Sequence, residues 1–161
     1  MEYNSLESVP YYTDSNALVA SLGYSLVELR IVPSHGQHNV RCVITRKDAQ
    51  NTAAIGVDDC AKVHRILLPR FEALLQSQDV YMEVTSPGME RVIKNAAEFG
   101  LFAEKLVRLW DTDKKDWVAG KIISNDESSI TIQLLDEKGS LSESNQTFSY
   151  EKIAKAKLLH T

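Results

Sequence analysis

The sequence predicts an α+β protein of two domains: an N-terminal α-β-β-α-β sandwich, then five short strands that make a small β-barrel or a strongly bent sheet. Three observations predict it. Up to residue 88, alternating apolar runs sit beside runs of helical period, whereas from residue 105 onward nearly every run alternates between polar turns. The turn signal Ser86-Pro87-Gly88 stands where the period changes, separating residues 1–88 from a connector and second domain over 89–161. At 161 residues, 43% hydrophobic and 25% charged, the chain can bury one ordinary core or two small ones.

Residues 1–12 carry little signal and are read as irregular. The first helix runs from about Ser15 to Leu22, with Asp14 as its cap, Leu18 and Leu22 on one face and Gly23 at its end. Tyr24 to Val32 alternates as a strand, and Val40 to Arg46 is its partner. A two-residue loop at Gly36-Gln37 suits a type II′ turn, pairing Ile31 with Cys42 and Leu29 with Ile44 so that both apolar sets share a face. Residues 48–56 form a loop. The second helix begins near Val57, with Asp58 and Asp59 at its positive end and a buried stripe of Cys60, Val63, Leu67, Phe71 and Leu74. Pro69 interrupts that pattern and predicts a kink or break. Val80, Met82 and Val84 then alternate as a third strand. Beyond the turn, a short helix is expected over 96–102, then strands over 106–110, 118–124, 130–135, 146–150 and 154–159.

Composition narrows the function. No apolar run of about 18 residues is present, and the N-terminus has no signal-peptide pattern. Two cysteines, Cys42 and Cys60, cannot make a disulfide framework, so a reducing cytoplasm is the expected home. Lys and Arg total 18 against 22 Asp and Glu, a net charge of −4. That balance suits a basic protein partner better than unassisted nucleic-acid binding.

Each candidate for chemistry has a plainer role. His35 and His38 flank a hairpin tip with no third metal ligand near in sequence. Cys60 and His64 stand at i, i+4, but Cys60 belongs to the apolar stripe. Asp58-Asp59 complements a helix dipole. Glycine-rich phosphate loops and the common hydrolase and zinc-protease motifs do not occur. Lys62, Arg65 and Arg70 read as a solvated face, Lys114-Lys115 as a hairpin tip. Trp110, Trp117, Phe148 and Tyr150 offer a stacking surface or a core, and a small domain needs them for its core. The expectation is a non-enzymatic protein without metal or cofactor.

The run Tyr81-Met82-Glu83-Val84-Thr85-Ser86-Pro87-Gly88-Met89-Glu90-Arg91 resembles the signature of the ribosome maturation factor RimP family. Leu22-Gly23-Tyr24-Ser25-Leu26-Val27, Val57-Asp58-Asp59-Cys60 and Ile153-Ala154-Lys155-Ala156-Lys157-Leu158 resemble further landmarks of that family, in the same order. Val92-Ile93 stands where the family usually has Pro-Leu, and Pro69 is unusual. The resemblance implies a C-terminal small β-barrel of the Sm-like or Src-homology-three type. It also implies a non-enzymatic role in assembling the small (30S) ribosomal subunit. The partners it implies are the immature subunit with its rRNA, and the basic twelfth small-subunit ribosomal protein; no membrane is involved and the chain acts as a monomer. Glu83, Ser86, Pro87, Gly88 and Arg91 are the interface candidates from the motif, with Glu83 and Arg91 pairing across the turn or bridging the domains. Asp136, Glu137 and Glu151 are the acidic candidates for the basic partner. An RNA-binding module acting through the N-terminal domain, and an adaptor unrelated to ribosomes, are the alternatives.

Overall fold

A computed structural model describes residues 1–88 and 90–159. Leu6–Gly88 forms one compact unit, and 90–159 together with Met1–Ser5 forms another.

The first unit is a two-layer arrangement. Its three-stranded sheet, ordered β1 (Tyr24–Ser34), β2 (Gln37–Arg46), β3 (Val80–Thr85), pairs β1 with β2 antiparallel and β2 with β3 parallel. Helix α1 (Tyr12–Ser21) and helix α2 (Val57–Leu74) cover one face. Val19, Val63, Leu67 and Phe71 from the helices close on Leu26, Leu29, Val40, Cys42, Ile44 and Met82 from the strands, in one apolar cluster. The expected order α-β-β-α-β is the order found. Helix α1 starts earlier than expected, after Tyr11, which takes a left-handed φ of 66°. Asp14 therefore sits in its first turn rather than capping it.

The hairpin register differs by two residues from the expected one. The tight loop is His35-Gly36, with φ of 53° and 79°, and Ser34 pairs with Gln37. Two positive φ values are the requirement of a type I′ turn, whose twist matches that of the strands. His35 adopts the left-handed region at its own local cost, and the loop moves back by one residue. Leu29 now faces Cys42 and Ile31 faces Val40. A shift of two keeps every side chain on its face, so the apolar set remains inside.

Pro69 does not break α2, which runs on through it to Leu74. Val63 and Leu67 before it and Phe71 after it are fully buried, holding both halves of the helix to the sheet. Pro69 and Arg65, whose carbonyl it leaves without its i+4 donor, are both exposed residues, so the lost bond falls on the solvent side of the helix.

The second unit holds a six-stranded sheet ordered β4-β9-β5-β6-β7-β8. The strands are β4 (Val92–Ile93), β5 (Leu106–Asp111), β6 (Asp116–Asn125), β7 (Ser129–Leu135), β8 (Leu141–Ser149) and β9 (Ile153–Leu158), and all pairings are antiparallel. A 3-10 helix over Ala96–Phe102 fills the expected helical connector. The sheet is bent by irregularities in the β5–β9, β6–β7 and β7–β8 ladders. Among the described residues no ladder joins β4 to β8, so the sheet is open where the resemblance implied a closed barrel. The edges tolerate this because β4 is two residues long and β8 buries only Phe148. Strand β4 and the first half of β8 escaped the sequence reading for the same reason: neither shows an apolar alternation. Phe99, Phe102, Leu109, Ile122, Ile132 and Ile153 are among the buried side chains. Met1–Ser5, read as the irregular start of the first domain, belong here. The Ala96 amide donates to the Glu2 carbonyl at 2.9 Å, and Tyr3 stacks on Tyr150 at 6.2 Å.

The exposed helix-interior proline sets the first prediction. Pro69→Ala restores a backbone hydrogen bond and should raise stability, by roughly 1–3 kcal/mol given that proline is about 3 kcal/mol worse than alanine inside a helix. Urea unfolding followed by circular dichroism measures it; a loss of stability contradicts the account of α2.

Candidate functional site

The sheet of the first unit has one face covered by helices and one without them. Because Val40, Cys42, Ile44 and Met82 point to the helices, Arg30, Val32, Asn39, Arg41, Tyr81 and Glu83 point the other way. These residues line a shallow cavity of about 350 Å³. The register explains their proximity: Arg30 lies opposite Arg41, and Arg41 is in turn the parallel partner of Glu83. The Arg41 Nε lies 3.4 Å from the Glu28 carboxylate. Two arginines and two glutamates thus share the face. Tyr81, 59% exposed, supplies an aromatic ring that the core does not use.

Strand β3 therefore carries Glu83 to this cavity, and the motif leaves the sheet beyond it. Thr85 Oγ1 donates to the Ser86 carbonyl at 3.3 Å; Ser86 and Pro87 are half-buried, and Gly88 is exposed. Gly88 takes φ of 75°, the conformation expected of the third residue in a Pro-Gly type II turn, and Glu90 takes 53°. Met89 of the motif lies outside the described residues. Arg91 belongs to the second unit, where its Nε donates to Glu98 Oε1 at 2.8 Å. Both side chains are nearly excluded from solvent, at 11% and 5% exposure, so this is a buried ion pair. Removing one partner of such a pair leaves the other charge stranded, at about 3–5 kcal/mol. Glu98 was missed by the sequence reading. The signal was available: a carboxylate inside the apolar run Ala96–Phe102 needs a cation.

A second polar centre ties the first unit together. Asp59 accepts the Gly56 amide at 2.7 Å at the start of α2, accepts the Tyr24 hydroxyl, and lies 3.3 Å from Arg46 Nη2. Arg46 also donates to the carbonyls of Ala53 and Ala54, at 2.9 and 3.1 Å, and its guanidinium sits 5.7 Å from the Tyr24 ring centre. One carboxylate thus joins the start of β1, the end of β2 and the loop before α2. The Gly56 amide, then the Tyr24 hydroxyl and Arg46, hold the Asp59 carboxyl below its ordinary value. Burial, then the carboxylate beside it, raises the Tyr24 hydroxyl.

The other candidates fall apart in space. Burial and the neighbouring Asp59 charge push the Cys60 thiol up, against use as a thiolate nucleophile. His35 sits in the type I′ turn and His38 in β2, and no cluster of three metal-ligating side chains occurs among the described residues. Asp136 closes the β7–β8 turn by accepting the amides of Lys138 and Ser140, both at 2.9 Å; Glu137 is exposed beside it. Glu151 follows β8 at its far end, in the 3-10 turn Tyr150–Lys152. The nine residues of β8 separate the two sites, roughly 30 Å at about 3.4 Å per residue. The three acids do not make one patch. The four aromatics split as well: Phe148 and Tyr150 are core residues, at 4% exposure each, while Trp110 and Trp117 are half-buried and meet edge to face at 5.5 Å.

Residues 15–90, from the first turns of α1 to the motif, match the family model described as the RimP N-terminal domain.

The Asp59 centre and the turn are both open to test. Asp59 holds its proton less tightly when folded, so its contribution is complete above its unfolded value, near 3.9, and is lost as pH falls through the folded one. Tyr24 has the opposite sign: its contribution is present below about 10 and lost as pH rises through its raised value. Asp59→Asn should therefore flatten the acid limb of a stability–pH profile, and Tyr24→Phe the alkaline limb; unchanged limbs refute the centre. At the turn, a Cβ on Gly88 would meet no atom within 4 Å, so any penalty is backbone strain alone. Gly88→Val should cost about 1–3 kcal/mol and Gly88→Asn clearly less, since asparagine tolerates positive φ. Equal losses in the two variants contradict strain as the cause.

Proposed function

By its N-terminal domain the chain belongs to the RimP family, and from that premise we propose that it is a non-enzymatic maturation factor of the small (30S) ribosomal subunit. It supports folding of the subunit rRNA and incorporation of the basic twelfth small-subunit protein. The match over residues 15–90 is the observation that carries this reading. The motif chemistry agrees with a binding role. Two of its charged groups stand opposite charged residues: Glu83 lies in register with Arg41, and Arg91 is paired with Glu98. The Cys60 thiol is held protonated. Of the acidic candidates, Asp136 and Glu137 sit together on an exposed turn and are the pair that a basic segment can reach; Glu151 acts apart from them.

The N-terminal sheet face is the surface on which the motif itself acts. Its balanced charges, with an exposed tyrosine between them, suit a polar protein segment more than a polyanion. No helix among the described residues is long and apolar enough to cross a membrane.

Sedimentation of a cell lysate through a sucrose gradient tests the reading. The chain should travel with immature small subunits and be absent from mature ones. A chain that stays at the top of the gradient under low salt supports an adaptor unrelated to ribosomes instead.

A further inference from the structure

We propose that the outer face of the C-terminal sheet binds single-stranded RNA, through a row of cations beside a stacked arginine–tryptophan ledge. Val107, Leu109 and Ile122 point into the core, so the residues alternating with them point out. One cross-strand row runs over four strands as Val92, Lys157, Arg108 and Ala119. The next row holds Leu106, Lys121 and Gln133. Trp110 and Trp117 pair beside them. Arg108, Lys121 and Lys157 therefore share a face, and no carboxylate occupies any paired position in these rows. The contrast with the N-terminal sheet is direct, since there Glu28 pairs with Arg41 and Glu83 stands in register beside the same arginine.

Two features of this face point to an anionic ligand. Lys157 lies directly opposite Arg108, and like charges so placed repel. Neither has a carboxylate beside it in its row, so an external anion is the natural relief. Arg108 also has a buried Nε with no hydrogen-bond partner among the described residues. Its guanidinium lies over the Trp117 ring, 4.7 Å from the centre. An arginine plane stacked on an indole is a platform to which an unpaired base adds, while flanking lysines neutralise the phosphates on either side. A duplex hides its bases from such a platform. Of the acids nearest this face in sequence, Asp111 is buried, Asp113 pairs with Lys152 at 3.3 Å, and Asp116 at the start of β6 accepts the Trp117 amide, so the overall charge of −4 does not describe the row of cations.

The inference rests on the maturation reading, whose substrate includes unfolded rRNA, and supplies the surface for it. Both tryptophans of the chain lie on this face, so intrinsic tryptophan emission reports on it alone. The full chain is titrated with a 15-nucleotide oligouridylate, a 15-base-pair RNA duplex and polyglutamate. Oligouridylate should quench the emission, with log K falling against log salt at a slope of about −2, as three neutralised phosphates give for single strands. Lys121→Gln with Lys157→Gln, verified by an unchanged melting temperature, should weaken binding at least tenfold at low salt and reduce the slope to about −0.7. Quenching by polyglutamate in place of RNA, duplex binding equal to single-strand binding, or a double variant that binds like the parent overturns the proposal. Gradient sedimentation separates the two readings. Co-migration with immature subunits without oligouridylate binding rejects this face and leaves the maturation role standing; oligouridylate binding without co-migration does the reverse.

Discussion

The two-residue period of side chains along a paired strand is the constraint on which this protein depends. Once Leu29 faces Cys42 and Val40 faces Met82, the inward set of the first sheet is settled, and with it the outward set of arginines, glutamates and Tyr81. The same rule in the second sheet sends Val107, Leu109 and Ile122 to the core and Arg108, Trp110 and Lys121 outward. Each sheet's outer face is the complement of its core. Register and function are therefore coupled: a slip of one residue in β5 would bury Arg108 and expose Leu109.

Charges drawn into this scaffold have structural duties. Asp59 satisfies an amide at the start of α2 while accepting from Tyr24 and Arg46, so one side chain closes three chain segments. Arg91 and Glu98 do the same next to the turn that leaves the first unit, with both charges out of water. Such pairs add little net stability over an apolar pair of similar shape, but they punish any arrangement that separates them. Each selects one local geometry within its own unit. That is a reason for Arg91 of the motif to be what it is without touching a ligand.

The two sheets leave different surfaces. The first presents a hollow lined by arginines, a glutamate and an exposed aromatic ring, the second a cationic face with an arginine over a tryptophan ring. The function proposed above asks the chain to meet both protein and RNA. Opposite chemical characters on separate units are a simple way to engage both without one partner competing for the other's site.

Much was legible in the residues themselves. The order of helices and strands, the change of period near residue 88 and the apolar stripe of α2 all follow from local periodicity, which one segment expresses alone. The positive φ of Gly88 follows from Pro-Gly chemistry in the same way. What escaped depended on neighbours distant in sequence. The hairpin took its loop at His35-Gly36 because the twist of two paired strands decides which turn fits. Helix α2 passed through Pro69 because buried contacts on both sides outweigh a local hydrogen bond. Arg91 found Glu98 seven residues away, and Arg108 found Trp117 across a hairpin. Composition gives net charge, but only the tertiary structure decides which charges share a face. Pairing brings residues from four strands into one row, and no single segment contains that information.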